Sequence, residues 1–298
     1  MNILVTGASG LIGSTLVPFL SSTGHEVTRL VRSQPRPGER AVRWEPTAGS
    51  IEESGLRGVE AVVHLAGENI SERWTAEKKA RIRDSRVTGT RLLCEALARL
   101  DPPPKVLVSA SAIGYYGDRG EEILTEDSPP GQGFLAEVCR AWEASTAPAQ
   151  QKGIRVVPVR FGVVLSDAGG ALAKMLPPFR MGMGGILGSG RQYVSWIAVD
   201  DAVGAIHHVV VTESLRGPTN ATSPNAVTNQ EFTKALGKVL GRPTVVPMPA
   251  FAARLMFGEM ADGLLLASAR VQPAKLVASG YAFRYPDLEA ALRHLLKR

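Results

Sequence analysis

Cysteine is scarce: the 298 residues contain two, Cys94 and Cys139. Both lie in helix-like patterns. Their number excludes a disulfide framework and leaves a buried free thiol as the expected state of each. No stretch reaches the run of about 18 apolar residues that a membrane helix needs. No charged-then-apolar leader precedes the first strand pattern, MNILVTG, so a reducing cytoplasm is the expected compartment. Basic residues outnumber acidic ones, 34 to 28, but they are scattered. With no Lys/Arg block and no basic run interleaved with aromatics, the charge suits anionic small ligands such as phosphates and argues against nucleic acid. The motifs H-E-x-x-H and C-x-x-C do not occur. His207 and His208 are neighbours whose rings point differently on a helix, so no metal is expected. Asp200 and Asp201 diverge for the same reason, and Asp200 is expected to cap the helix that follows it.

Apolar residues make up 44% of the chain, enough for a sizeable core. NILVTG, HEVTRLV, EAVVHLAG, KVLVSAS and RVVPVRFGVVL read as strands. Several are near-continuous apolar runs, which marks strands covered on both faces and therefore a parallel sheet. Helical patterns alternate with them: LIGSTLVPFLSSTG, TAEKKARIRDSRVTGTRLLCEALARL and FLAEVCRAWEASTAPAQQKG. The expected fold is α/β, a doubly wound parallel sheet of Rossmann type with a smaller mixed α/β C-terminal lobe. Gly24 and Gly153 are expected to end helices in the left-handed conformation. The rhythm changes near residue 166, where DAGGALAKMLPPFRMGMGGILGSG is rich in Gly, Met and Pro. Residues 1–165 are expected to form the nucleotide-binding domain and 166–298 mainly the second lobe, with about 190–223 returning to the first. Thr228 and Glu231 have capping-box spacing, and Pro286-Asp287 opens a last amphipathic helix.

TGASGLIG, residues 6–13, stands between the first strand and the first helix. Gly7, Gly10 and Gly13 let backbone approach a pyrophosphate, and the helix N-terminus offers bare N–H groups and partial positive charge. The second strand ends Leu30-Val31-Arg32-Ser33, with no acid before Glu39. An acid there would bind a ribose 2′-hydroxyl. An arginine and a serine suit a 2′-phosphate, so the expected cofactor is NADP(H).

These stretches resemble the extended short-chain dehydrogenase/reductase superfamily. TGASGLIG, HLAG (64–67), VSASAIGYYGD, RFGVVLSDAGG and GRQYVSWIAVDD are similar to its successive segments. LAGENI, DSR (84–86), SAIGYYG, FLAEVC..WE and GYAFRYPDLEAAL resemble its atypical epimerase-family branch, which carries its own short C-terminal domain. The resemblance implies Gly7, Ser9, Gly10, Leu11, Ile12 and Gly13 under the pyrophosphate and Arg32 and Ser33 at the 2′-phosphate. It also implies Leu65 and Ala66 near the adenosine and Val164 near the nicotinamide. Arg86 stands where many extended members have Asn. It is either a site residue or a helix-surface ion-pair partner. Leu65, Ala66 and Val164 would be core residues in almost any fold.

The superfamily's chemistry uses a Tyr-x-x-x-Lys pair, in which the lysine lowers the phenol's pKa, and a serine that orients the substrate oxygen. Ser111 matches the serine. Counting back from Trp142-Glu143, the pair falls on Leu135 and Cys139, and none of the five tyrosines has a lysine four residues on. Tyr115 or Tyr116, close after Ser111, is the substitute acid or else an aromatic wall. Tyr115 has Arg119 at the lysine's spacing. Cys139 as a nucleophile is a weaker alternative to a buried thiol. Two functions follow. One is an NADP(H)-dependent oxidoreductase or epimerase acting on a small molecule, with a nucleotide sugar as one candidate. The other is an NADPH-binding regulatory or scaffold protein without turnover. Oligomeric state is not readable.

Overall fold

The computed structural model describes residues 1–297. The strands are β1 (Asn2–Thr6), β2 (Glu26–Val31), β3 (Ala41–Glu45), β4 (Ser50–Ile51), β5 (Ala61–His64), β6 (Val106–Ala112) and β7 (Ile123–Leu124). They continue with β8 (Arg155–Phe161), β9 (Val163–Leu165), β10 (Tyr193–Val194), β11 (Trp196–Ala198), β12 (Thr219–Ala221), β13 (Val227–Thr228) and β14 (Arg270–Val271). The helices are α1 (Leu11–Ser22), α2 (Ala76–Arg99), α3 (Phe134–Ala144), α4 (Ala147–Gln151) and α5 (Gly170–Arg180). After them come α6 (Val199–Val211), α7 (Asn229–Leu240), α8 (Ala250–Phe257), α9 (Ala274–Ala278) and α10 (Leu288–Leu296).

Eight strands form one sheet in the order β12-β8-β6-β5-β1-β2-β3-β4. Its pairs are parallel except β3–β4. The period of two along each strand explains the continuous apolar runs. Ile3 and Val5 face one core with Ala61, Val63, Val106, Val108, Val157 and Val159, under α1 and α6. Leu4, Val62, Leu107 and Val156 face the other, under α2 and α4. The sheet is doubly wound, as the alternation of elements implied. Chain order reverses at β1, which lies between β2 and β5. In sheets wound this way, ligands bind at the carboxyl ends of the strands at that reversal.

α5, α7 and α10 bury a separate core built on Leu172, Leu176, Phe232, Leu236, Leu292 and Trp196. The capping box at Thr228 and Glu231 is present in full, and Asp287 accepts from the Ala290 N–H at 2.9 Å. Gly24 and Gly153 take φ of 84° and 89° just past their helices. The Gly/Met/Pro-rich stretch contains α5, whose Leu172, Met175, Leu176 and Phe179 recur at helical spacing. Asp200 does not cap α6, contrary to the sequence reading. The helix is entered directly from β11 with Ala198 at the cap, and Asp200 faces His294 at 3.3 Å.

Candidate functional site

β1 delivers the chain into a cradle whose glycines are fixed by backbone contacts. Gly7 has φ 66°, and a Cβ on it would lie 2.8 Å from the Leu65 carbonyl. A Cβ on Gly13 would lie 2.2 Å from the Gly7 oxygen, so α1 can cross this close only without a side chain there. Gly10 N–H donates to the Gly7 oxygen at 2.9 Å and closes the turn. α1 has no side-chain cap and no acid in its first turn. Among the described residues, the N–H groups of Leu11, Ile12 and Gly13 have no protein acceptor. Bare amides at a positive helix end suit a diphosphate. Ser9 is exposed at the mouth. Leu11 reaches Gly170, whose Cβ position is 2.9 Å from Leu11 Cδ2 and 3.6 Å from the Val164 oxygen. Val164, on β9, therefore lies beside Gly170 and the start of α1.

A buried polar chain holds the turn after β5 against this cradle. The Leu65 and Ala66 N–H groups donate to Thr6 Oγ1 at 3.0 and 3.1 Å. Thr6 Oγ1 is 2.7 Å from His64 Nδ1, and His64 Nε2 is 2.9 Å from Thr90 Oγ1. Because Thr6 already accepts twice, its own proton goes to His64 Nδ1 and the ring carries its proton on Nε2. Burial pushes the His64 pKa down to about 4, so the ring is neutral. None of these roles was read from the sequence, because each partner lies on a different element.

At the end of β2, Arg32 and Ser33 are exposed. Among the described residues Arg32 has no carboxylate partner, whereas Glu39 is engaged by Arg29 and by the Arg36 N–H. The acids on either side in sequence, Glu26 and Glu39, are thus taken by Arg40 and Arg29, and the guanidinium remains available.

Ser111, on β6, is 3% exposed. Its hydroxyl donates to Glu143 Oε1 at 2.7 Å. Arg160, Ser111's register partner on β8, clasps both carboxylate oxygens of Glu143 at 2.8 Å. Burial works against the Arg160 charge, but the Glu143 carboxylate outweighs it and holds the guanidinium's pKa above its ordinary value. The sequence reading missed both residues. A charge inside the apolar run RVVPVRF was the available signal, since a charged side chain in a covered strand needs a buried partner.

Tyr115 and Tyr116 go opposite ways. Tyr116 is fully buried, and its hydroxyl donates to Asn220 Oδ1 at 2.7 Å and accepts from Arg160 at 3.0 Å. Burial raises its pKa. This corrects its candidacy as a substrate acid: it is walled off and serves the core. Tyr115 is half-buried, with its ring 3.4 Å from the Arg160 guanidinium, and its hydroxyl has no protein partner among the described residues. Arg119 pairs with Glu122 and does not reach that hydroxyl. Leu135 lies against Gly114 and joins an apolar cluster with Trp74, Val138, Met260 and Leu264. Cys139 is buried and its thiol is pushed up to about 11, which leaves no nucleophile at neutral pH. Arg86 Nη1 donates to the Glu68 and Ile82 carbonyls at 3.0 and 3.1 Å, and its guanidinium lies over Trp142. It is no surface ion-pair partner.

The description "NAD dependent epimerase/dehydratase family" matches residues 3–220, and a domain of unknown function (DUF1731) matches 248–295. The epimerase family protein MT2273 of Mycobacterium tuberculosis is 44% identical over 297 residues, 99% of this chain and 98% of that one. The crystal structure of human epimerase family protein SDR39U1 (isoform 2) with NADPH is similar at TM-score 0.92 and 35% identity over 100% of both chains. A nucleoside-diphosphate sugar epimerase from Corynebacterium glutamicum is similar at TM-score 0.81 and 40% identity, over 99% of this chain and 58% of that one. With these matches running from end to end, the chain belongs to the epimerase family, an atypical extended short-chain dehydrogenase/reductase with a C-terminal DUF1731 segment.

Proposed function

We propose that the chain binds NADP(H) and acts on a small-molecule alcohol or carbonyl, as an oxidoreductase or a nucleoside-diphosphate-sugar epimerase. The observation that carries this is the cradle: bare N–H groups of Leu11, Ile12 and Gly13 over glycines that admit no Cβ, beside an uncommitted Arg32. The residues present fit the cofactor. Gly7, Ser9, Gly10, Leu11, Ile12 and Gly13 would hold its diphosphate, Arg32 and Ser33 its 2′-phosphate, Leu65 and Ala66 its adenosine, and Val164 its nicotinamide end, with Arg86 a further contact to it. The NADPH bound by the human relative supports the choice, and the name of the Corynebacterium relative supports the sugar-nucleotide class. The cofactor supplies the hydride chemistry when bound.

The proton side belongs to the chain's own residues. A hydroxyl has one proton, and Ser111 gives its proton to Glu143. Its oxygen is therefore left as an acceptor. Ser111 would take a hydrogen bond from a substrate hydroxyl, and on oxidation take that proton as its own moves to Glu143. On reduction the proton would return by the same path, from Glu143 through Ser111, and Tyr115, with its hydroxyl unpartnered among the described residues, is the alternative proton carrier in both directions. A second reading, a binding protein without turnover, is favoured by one observation: Leu135 sits in an apolar cluster where the superfamily's tyrosine would stand.

The test is a fluorescence titration with NADPH and NADH, followed by turnover screens with alcohols, carbonyls and nucleotide sugars. The wild type should prefer NADPH, and Arg32→Asp should weaken NADPH by roughly tenfold to a hundredfold, the value of a charge-assisted bond. Unchanged NADPH affinity in that variant would refute the cofactor assignment. Turnover lost in Ser111→Ala supports the enzyme. Tight NADPH without oxidation across the panels supports the binder.

A further inference from the structure

We propose that the outward face of α8, together with the loop after α5, docks the chain on the surface of an anionic lipid bilayer. The inference is independent of the NADP(H) reading and goes beyond it.

A surface helix normally turns a polar face to water. α8 reads AFAARLMF, with Arg254 as its one charge. Ala253 is fully buried, and Phe257 joins the apolar cluster that holds Trp74 and Leu135. At about 100° of turn per residue, Phe251 and Leu255 then point the opposite way. They are 72% and 80% exposed, and Met256 beside them is exposed as well. A helix apolar on both sides is one that is covered on both sides, and eight residues are too few to span a membrane.

Apolar side chains scattered singly over a surface need no partner. These are gathered. Eleven large apolar side chains are exposed among the described residues, and seven of them fall at 181–183 or 245–256. The two stretches form one surface. The Gly182 Cβ position is 3.7 Å from the Pro243 ring, the Gly185 Cβ position meets the Val246 carbonyl, and Leu187 bridges to Met248. Met181 and Met183 therefore lie beside Val245 and Val246, with α8 following directly. The side chains stand out from the surface. Neither the cavity beside Trp74 and Phe134 nor the one beside Glu53 and Asp101 is lined by any of the seven.

Charge selects the occupant. Residues 168–199 and 232–258 contain seven Lys or Arg and no Asp or Glu. Arg180, directly before Met181, and Arg242, directly before Pro243, are exposed and have no carboxylate partner among the described residues. The acids that follow α8, Glu259 and Asp262, are engaged by Lys79 and Arg254. A second copy seated across a twofold axis would set this basic rim against itself, like charge on like charge. An anionic bilayer takes the apolar side chains at its acyl boundary and the two arginines at its phosphates. Three of the seven protruding side chains are Met, which adapts to a soft partner without a shaped pocket.

The experiment is co-sedimentation of the full chain with vesicles. One set is an equal mixture of phosphatidylcholine and phosphatidylglycerol, the other phosphatidylcholine alone. The wild type should sediment with the anionic set and not with the neutral one. The double variant Phe251→Ser with Leu255→Ser keeps every charge and changes only exposed side chains. It should bind the anionic vesicles at least about tenfold more weakly, because burying either side chain is worth that much. Arg180→Gln with Arg242→Gln should weaken binding too. A depth probe separates insertion from adsorption of a basic protein. All four native tryptophans are buried, so Phe251→Trp supplies the one exposed indole. Its emission should shift to the blue on anionic vesicles and be quenched by lipids brominated on their acyl chains. A wild type that ignores anionic vesicles, a serine variant that binds as the wild type does, or an unquenched indole overturns the proposal. A wild-type dimer in sedimentation velocity that the serine variant dissolves, with no vesicle binding, overturns it also and gives the face to a second copy.

Discussion

His64 shows how one residue couples the sheet to the cradle. It is fully buried between Thr6 and Thr90, and Trp142 Nε1 also donates to Thr90 at 2.9 Å. Its pKa is lowered from 6.5 to about 4 by desolvation. In the unfolded chain the ring takes up a proton as pH falls through 6.5, while the buried ring refuses one until about 4. The unfolded state therefore binds more protons in that window, and stability drops as pH falls across it. The full loss is roughly 3 kcal/mol, reached near the lower bound and constant below it. Urea unfolding at pH 7 and pH 5 should show a smaller pH dependence in His64→Gln, whose amide can accept from Thr6 and donate to Thr90. An equal pH dependence in the two proteins would mean that another group sets it.

At the scale of elements, the β1–α1 crossover depends on Gly13 more than on any helix preference. Gly13→Ala places a methyl 2.2 Å from the Gly7 oxygen and 2.8 Å from the Ala8 Cα. Both are backbone atoms, so the crossover must open. The expected cost is above about 2 kcal/mol, and nucleotide affinity should go with it. Gly24→Ala is the control, because Gly24 has φ 84° but nothing within 4 Å of its Cβ position. It should cost about 1 kcal/mol of backbone strain and leave nucleotide binding alone. Equal costs, read from denaturant midpoints, would remove the contact argument. The crossover was legible in the sequence because glycine spacing records local backbone contacts. Asp201 was not. It is buried in α6 and accepts from the Arg284 and Tyr285 N–H groups at 2.7 and 2.9 Å, partners more than eighty residues away. Local capping logic pointed at Asp200 instead, since nothing in VDDAVG distinguishes the two acids without the turn at 281–285.

Across the whole molecule, one polar chain runs from the candidate reaction centre to the C-terminal segment. Ser111 joins Glu143, Glu143 joins Arg160, and Arg160 joins Tyr116, whose hydroxyl reaches Asn220 on β12. Asn220 Nδ2 then donates to the Gln272 oxygen at 3.0 Å, beyond β14. Glu126 ties the same region by accepting from the N–H groups of Asn220 and Lys275. The parallel sheet was readable from apolar runs because burial on both faces shapes composition directly. This chain was unreadable because it is assembled from β6, α3, β8, β12 and the residues after β14, with no local spacing to betray it. Its sharpest sign was that Tyr115 and Tyr116, adjacent and alike in sequence, point to opposite environments. The arrival of Asn220 decides which of them is buried.

The pair at the centre of that chain should behave as a unit. Arg160 and Glu143 have side chains 3% and 13% exposed. Arg160→Met removes the cation and leaves the Glu143 carboxylate in a site with little water, where its remaining partner is the Ser111 hydroxyl. Breaking such a pair costs about 3–5 kcal/mol, whereas replacing both charges by apolar groups of similar volume is often nearly neutral. The double variant Arg160→Met with Glu143→Met should therefore recover most of the stability lost by the single one. It should not recover the turnover proposed above, because Ser111 would have lost the carboxylate to which it donates. Urea midpoints and turnover assays on the same three proteins separate the two effects. If the double variant is no more stable than Arg160→Met, the cost lies in the lost contacts to Tyr115 and Tyr116, and the ion pair is not what holds Ser111 in place.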